Sequence, residues 1–134
     1  MKLASTAARY LLGSIFFVFG LNGFLHFLPA PPPTGLAGQF FAALYLSHYL
    51  VLIFLLQIGP GVMLLINRYV PLALTLLGPI VVNILFFHLL MAPSGLPLAA
   101  AVVTLWILTA FSVRKAFSGL FQKTYSTTGV AQAA

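Results

Sequence analysis

The chain has 134 residues, of which 62% are hydrophobic and 4% are charged, and its mean hydropathy is +1.14. Soluble domains carry about 25% charged residues, and a chain this short cannot cover its surface with so few polar groups. A soluble globular domain and a disordered chain are therefore both excluded. The chain contains no Asp, Glu or Cys, which excludes side-chain carboxylate catalysis, EF-hand sites, thiolate nucleophiles and iron–sulfur clusters.

Four apolar stretches are each long enough to cross a bilayer core, which takes about 20 helical residues. The predicted spans cover about residues 10–28, 41–66, 70–91 and 96–113. No strand-like alternation is sustained, so that helices are expected. The predicted fold is all-α, an integral membrane four-helix bundle over residues 9–115, between a short N-terminal segment (1–8) and a flexible tail (116–134).

The connections between the spans are short or stiff. Asn67 suits a left-handed helix end, and Pro71 suits a first helical turn. Residues 92–95 make an equally short turn, so that the last three spans are expected to run antiparallel. The segment 29–39 holds four prolines and is predicted to be extended, with a turn near Gly35.

Two prolines interrupt the predicted spans at mid-membrane depth. Pro60 lies between Gly59 and Gly61, and Pro79 follows Gly78. A proline inside a helix removes one backbone hydrogen bond. We therefore expect a bend in the second span at Pro60 and a similar break in the third span.

All six cations fall on one face of a four-span chain. They are Lys2, Arg9, Arg68, Arg114, Lys115 and Lys123. By the positive-inside rule this face is cytoplasmic, which predicts both termini inside. The first span is interpreted as retained rather than cleaved, because the candidate site after Ala30 has Leu28 where a signal peptide needs a small residue. The cations are too dispersed for a nucleic-acid-binding patch.

Polar side chains within the spans are the candidate functional residues, because polar groups in lipid cost free energy unless they find partners. The candidate ligand-binding residues are Asn22, His26, Gln57, Asn83 and His88. Counted at about 1.5 Å per residue, the three amides form a mid-membrane layer and the histidines form an outer layer. Asn22 and His26 are four residues apart and are expected to share a helix face.

Other interpretations of these residues stay open. The amides can instead join helices by hydrogen bonds, and His26 and His88 can be histidines satisfied near the headgroup boundary. A metal site is not predicted, and haem is disfavoured, because no close-spaced histidine pair occurs. His48, with Tyr45 and Tyr49 beside it, is interpreted as part of an outer aromatic belt.

Three segments resemble the DoxX-like family of small four-span membrane proteins. They are Arg9 to Phe24, with Phe19-Gly20-Leu21-Asn22-Gly23; Gly59 to Pro71, with the turn Asn67-Arg68-Tyr69-Val70-Pro71; and Pro79 to His88. The resemblance implies a four-helix bundle in a prokaryotic cytoplasmic membrane and a link to quinone-dependent respiratory complexes. Relatives often carry an acidic residue where this chain has Gln57, which cannot ionise.

The sequence supports one expected function and two alternatives. The expectation from the resemblance is an accessory or structural subunit of a quinone-linked membrane redox complex. The alternatives are a binding protein for a lipophilic molecule such as a quinone, with no other cofactor predicted, and a small transporter that acts as an oligomer. Catalysis by the chain alone is not expected, since acid–base work would fall on histidine or tyrosine. The expected partners are lipids and either other membrane subunits or further copies of the chain.

Overall fold

The computed structural model describes residues 2–121 and residue 123. The α-helices, in chain order, are α1 (Lys2–Leu25), α2 (Gly35–Leu46), α3 (Tyr49–Leu65), α4 (Val70–Leu90) and α5 (Leu96–Ser112). Two 3₁₀ helices cover Pro93–Gly95 and Arg114–Phe121. The described residues contain no strand, so that the predicted all-α class is confirmed.

Three helices of the described chain are long and apolar enough to cross a membrane: α1, α4 and the continuous segment Pro93–Ser112. A fourth crossing exists if α2 and α3 count as one span, and these two helices meet at an angle of 89°. The 17 residues of α3 have a length of about 25 Å at about 1.5 Å per residue. These lengths and compositions indicate a membrane protein.

The helices pack as antiparallel neighbours. Gly13 lies against Gly61 and Gly20 lies against Gln57, so that α1 and α3 run in opposite directions. The same holds for α4 and α5, because His88 lies against Gly95 and the Trp106 indole N–H donates to the Leu74 carbonyl at 3.1 Å. The starts of α1 and α4 and the ends of α3 and α5 therefore lie at one end of the molecule, which is also the end where the cations of the described chain are found.

The core lies where α1, α3, α4 and α5 meet. Its largest fully buried side chains are Phe16, Leu12, Leu64, Leu74, Leu77 and Thr109. Thr109 satisfies its hydroxyl within its own helix, where Oγ1 donates to the Leu105 carbonyl at 2.8 Å. A polar side chain is thereby accommodated in an apolar core without an unpaired group.

Glycines bring the backbones of α1 and α3 unusually close together. A Cβ built on Gly61 would lie 2.9 Å from the Phe17 backbone nitrogen and 3.2 Å from the Gly13 carbonyl oxygen. Gly13, Gly20 and Gly61 are all buried. Small residues at a helix crossing allow such close packing, which is the main source of helix association where no hydrophobic effect acts between lipid-embedded helices.

Arg9 joins the same two helices at the end that carries the cations. Its side chain is only 9% exposed, and Nη1 donates to the carbonyl of Leu64 in the last turn of α3. Its guanidinium also lies 4.2 Å from the centre of the Tyr10 ring. A cation at a helix C-terminus satisfies free carbonyls and interacts favourably with the helix dipole. Arg9 therefore stabilises the C-terminal end of α3.

The predicted second span contains a sharp bend at a position that the sequence does not predict. The sharp change of direction is at Ser47–His48, where His48 has a left-handed backbone with φ of 59°. The expected break at Pro60 does not interrupt α3, and Pro79 likewise lies inside α4. Pro60 lies between Gly59 and Gly61, which have no side chains. The predicted continuous span 41–66 is therefore two helices.

The helix ends also differ from some of the predicted boundaries. The first helix begins at Lys2 and ends at Leu25, so that residues 2–8 are helical. The predicted flexible tail begins with the 3₁₀ helix Arg114–Phe121, while residues 122 and 124–134 lie outside the described residues. The left-handed conformation of Asn67 (φ of 56°) and the place of Pro71 in the first turn of α4 are confirmed.

The close approach of α1 and α3 predicts that an added methyl group costs more stability at Gly61 than at Gly59. In Gly61→Ala the new Cβ meets backbone atoms of α1, and overpacking of this kind costs about 1–3 kcal/mol. In Gly59→Ala the new Cβ meets no atom of another helix within 4 Å, so that the only cost is the local one of a helical residue with a Cβ directly before Pro60. Unfolding of both variants in mixed micelles, followed by circular dichroism, measures the difference. Equal stability of the two variants would contradict this packing.

Candidate functional site

A cavity of about 190 Å³ lies between α1, α3, α4 and α5. Its lining residues are Ile15, Phe16, Phe19, Gln57, Ile84, His88, Leu98 and Val102. Two of the five predicted site residues, Gln57 and His88, therefore share one cavity, and every other lining side chain is apolar. Apolar walls with a small number of polar groups are the usual composition of a small-molecule site.

The amide of Gln57 is available for hydrogen bonding. Gln57 is half-buried in α3, and its side chain has no hydrogen-bond partner among the described residues. The same part of the chain has no fully buried side-chain nitrogen or oxygen without a partner. The Gln57 amide is therefore accessible, and since the residue lines the cavity, it offers both a donor and an acceptor there.

His88 is held in a fixed orientation at the end of α4. Its Nδ1 lies 2.9 Å from the carbonyl oxygen of Ala92, four residues further along the chain. Its ring packs against the backbone of Gly95, where a Cβ would overlap the ring, and lies edge-to-face to Phe87 at 5.1 Å. The turn after α4 therefore fixes the imidazole from two sides, with its Cε1, Nδ1 and Nε2 edge toward Gly95, and the residue also lines the cavity.

The cavity opens toward the outer surface of the helix bundle between α1 and α5. Phe19 and Leu98 are 43% and 47% exposed and are the most exposed apolar residues of its lining. Val18, beside Phe19 on α1, is also exposed. A ligand would thus enter through an apolar surface.

Asn22 and His26 form the end of α1 and do not line this cavity. The Asn22 side-chain oxygen accepts a hydrogen bond from the Leu28 backbone N–H at 2.7 Å. His26 follows the helix with a left-handed backbone, φ of 52°, and its N–H donates to the Asn22 carbonyl. The side chain of His26 is exposed. The two residues, predicted to share a helix face, together terminate the helix.

Asn83 is exposed on α4, and its side chain has no hydrogen-bond partner among the described residues. It lies five residues before His88, which is a rotation of about 140° at the helix period. Asn83 therefore faces away from the cavity that His88 lines.

A smaller cavity of about 160 Å³ lies at the corner between α2 and α3 and includes Tyr45, His48 and Phe54. Tyr45, His48 and Tyr49, the residues interpreted as an outer aromatic belt, are all exposed. No group of three metal-ligating side chains occurs among the described residues.

Residues of two kinds could not be assigned their roles from the sequence. Arg9 was interpreted only as a marker of membrane sidedness, and nothing local signals that it binds the Leu64 carbonyl 55 positions away. Phe16, Phe19 and Val102 are generic apolar residues in generic apolar stretches, and only the packing of the helices makes them cavity walls.

Comparison of the chain with protein-family models, with curated proteins and with solved structures finds no match. The resemblance to DoxX-like proteins therefore stays a prediction. The chemistry of the cavity is the basis for a function.

The contact between Gly95 and His88 predicts that a methyl group at position 95 moves the imidazole. In Gly95→Ala the new Cβ overlaps the His88 ring, which has to rotate and give up its hydrogen bond to Ala92. Ser94→Ala, at the exposed neighbouring position, leaves the ring in place. Imidazole ¹⁵N spectra of histidine-labelled protein measure the change. His88 signals that are identical in the two variants would contradict the contact.

Proposed function

We propose that the protein is a multi-pass membrane protein that binds the ring of a lipophilic small molecule, such as a quinone, in the cavity of Gln57 and His88. The observation that carries this proposal is the pair of polar side chains in an otherwise apolar cavity. One side chain has an accessible amide, and the other is fixed by a backbone carbonyl. Such a site gives a ring an apolar enclosure and two fixed hydrogen-bonding directions.

The size of the cavity supports a ring rather than a whole lipid. An apolar cavity of about 150 Å³ in another protein admits benzene, and the cavity here is about 190 Å³. An attached hydrocarbon tail would leave through the opening at Phe19 and Leu98 and continue into the membrane.

The proposed orientation places both ends of the described chain on the cytoplasmic side of a prokaryotic inner membrane. Its basis is the clustering of cations at one end of the helices, as the positive-inside rule requires. The outer faces of the helices carry large exposed apolar side chains, among them Leu55, Val82 and Phe86, each more than half exposed. In lipid such residues are in a favourable environment, whereas in water they would cost solubility.

A role as an accessory subunit of a quinone-linked redox complex is the second candidate. Its basis is the resemblance to DoxX-like proteins, and it agrees with the lack of side-chain carboxylates and thiols, which leaves acid–base work to histidine and tyrosine. The transporter alternative has less support, because α3 and α4 remain helical through Pro60 and Pro79 and provide no unwound segment at mid-depth.

The proposal predicts that Gln57→Leu weakens binding of a short-chain benzohydroquinone, the reduced form of a quinone, about tenfold. A tenfold change in the dissociation constant corresponds to about 1.4 kcal/mol of binding free energy, which is the size of the contribution expected from one hydrogen bond. Equilibrium dialysis of purified protein in detergent micelles measures the affinity.

The matched control for this experiment is Asn83→Leu. It also replaces an intramembrane amide by leucine, but at a position outside the cavity, so that its affinity is expected to equal that of the unmodified protein. Equal losses in both variants, or no loss in Gln57→Leu, would refute the assignment of this cavity as the binding site.

A further inference from the structure

The hydrogen bond between His88 and the Ala92 carbonyl determines which nitrogen of the imidazole carries the proton. A backbone carbonyl has no hydrogen to donate, so that the His88 Nδ1, at 2.9 Å from the Ala92 oxygen, must be the protonated nitrogen. In a neutral imidazole the other nitrogen, Nε2, is then an acceptor only. The turn after α4 thereby makes the second nitrogen of His88 a hydrogen-bond acceptor rather than a donor.

The Nε2 atom of His88 has no hydrogen-bond partner in the described part of the chain and is not fully buried. The bond to Ala92 uses the other ring nitrogen. Every fully buried side-chain nitrogen or oxygen in that part of the chain has a partner. Since Nε2 has none, it must be at least partly accessible. A hydrogen-bond donor entering the cavity would find an unused acceptor on His88.

We propose that the cavity selects a neutral ring that carries a hydroxyl group, a phenol or a hydroquinone, over the same ring with an ether or carbonyl oxygen in that place. This inference rests on the proposed function. A hydroxyl donates its proton to Nε2, whereas an ether or carbonyl oxygen would direct lone pairs toward the lone pair of Nε2. A site built to hydrogen-bond a hydroxyl rejects an analogue that cannot donate.

The other polar group of the cavity does not oppose this preference. The Gln57 amide carries two donors and an acceptor, so that it can bind a hydroxyl, an ether or a carbonyl oxygen equally. No charged residue lines the cavity, and the chain has no side-chain carboxylate, so that a neutral hydroxyl is favoured over an ionised one. Gln57 therefore contributes affinity, and His88 contributes the difference between the two kinds of ligand.

The test compares 4-propylphenol with its methyl ether, 4-propylanisole, on the full chain in nanodiscs at one fixed pH. The unmodified protein is expected to bind the phenol about tenfold more tightly than the ether, since one hydrogen bond separates them. In His88→Phe, which keeps a ring at this position, the ratio is expected to fall to about one. In Gln57→Leu both affinities fall and the ratio is retained.

A second measurement needs no substitution in the cavity. The ¹⁵N spectrum of histidine-labelled protein, assigned with His26→Gln and His48→Gln, is expected to show His88 protonated at Nδ1, with an Nε2 signal that shifts on addition of the phenol and not of the ether. A proton on Nε2 would overturn the proposed selectivity. Equal binding of both probes, with weaker binding of both in Gln57→Leu, would also overturn the selectivity but would agree with the proposed function. Binding of neither probe overturns both.

Discussion

The absence of any side-chain carboxylate constrains where every charged and apolar group of this protein can lie. Each of the six cations has to be satisfied by water, a carbonyl, an aromatic ring or an external anion. Arg9 is satisfied by the Leu64 carbonyl and the Tyr10 ring, and Arg114 by the Phe111 carbonyl and ring. Cations that cannot pair with acidic side chains are most stable at the water-facing end of an apolar bundle, and the antiparallel helices bring them there.

The same lack of ionic and strongly polar groups leaves close packing as the principal force between the helices. Gly13, Gly20 and Gly61 allow α1 and α3 to approach at backbone distance, and this approach places Gln57 beside the first helix. The side chains of α4 and α5 then close a space that Gln57 and His88 line together. The cavity is thus a consequence of how the helices fit, and its two polar groups were brought together by packing rather than by spacing along the chain.

The parts of the fold that depend on local chemistry could be predicted from the sequence. Apolar runs of membrane length determine the helices, and Asn67 and Pro71 determine the turn between α3 and α4, because left-handed ends and first-turn prolines are local preferences. The break at Ser47–His48 could not be predicted in this way, since no glycine or proline is present there. Its physical basis is tertiary, because Phe40 and Phe41 of α2 contact Phe87 of α4 at 5.9 and 5.3 Å between ring centres.

The sequence predicts which types of residue form the candidate site, but it identifies only some of the residues that line the cavity. Polarity within apolar helices singled out Gln57 and His88 together with Asn83, which has the same chemistry but faces away. Depth along a helix can be counted from the sequence, but the rotation of each helix toward its neighbours cannot. Asn22 was predicted as a site residue for the same reason, and its side chain binds the backbone of Leu28.

The proposed topology has an even number of membrane crossings, with the cation-bearing end inside the cell. The chain contains no cysteine, so that single cysteines at Pro32, Asn67, Ser94 and Ser118 can be labelled without a background. In intact cells, a membrane-impermeant maleimide is expected to label positions 32 and 94 and to reach 67 and 118 only after permeabilisation. Labelling of positions 32 and 67 from the same side of the membrane would contradict the four-span arrangement.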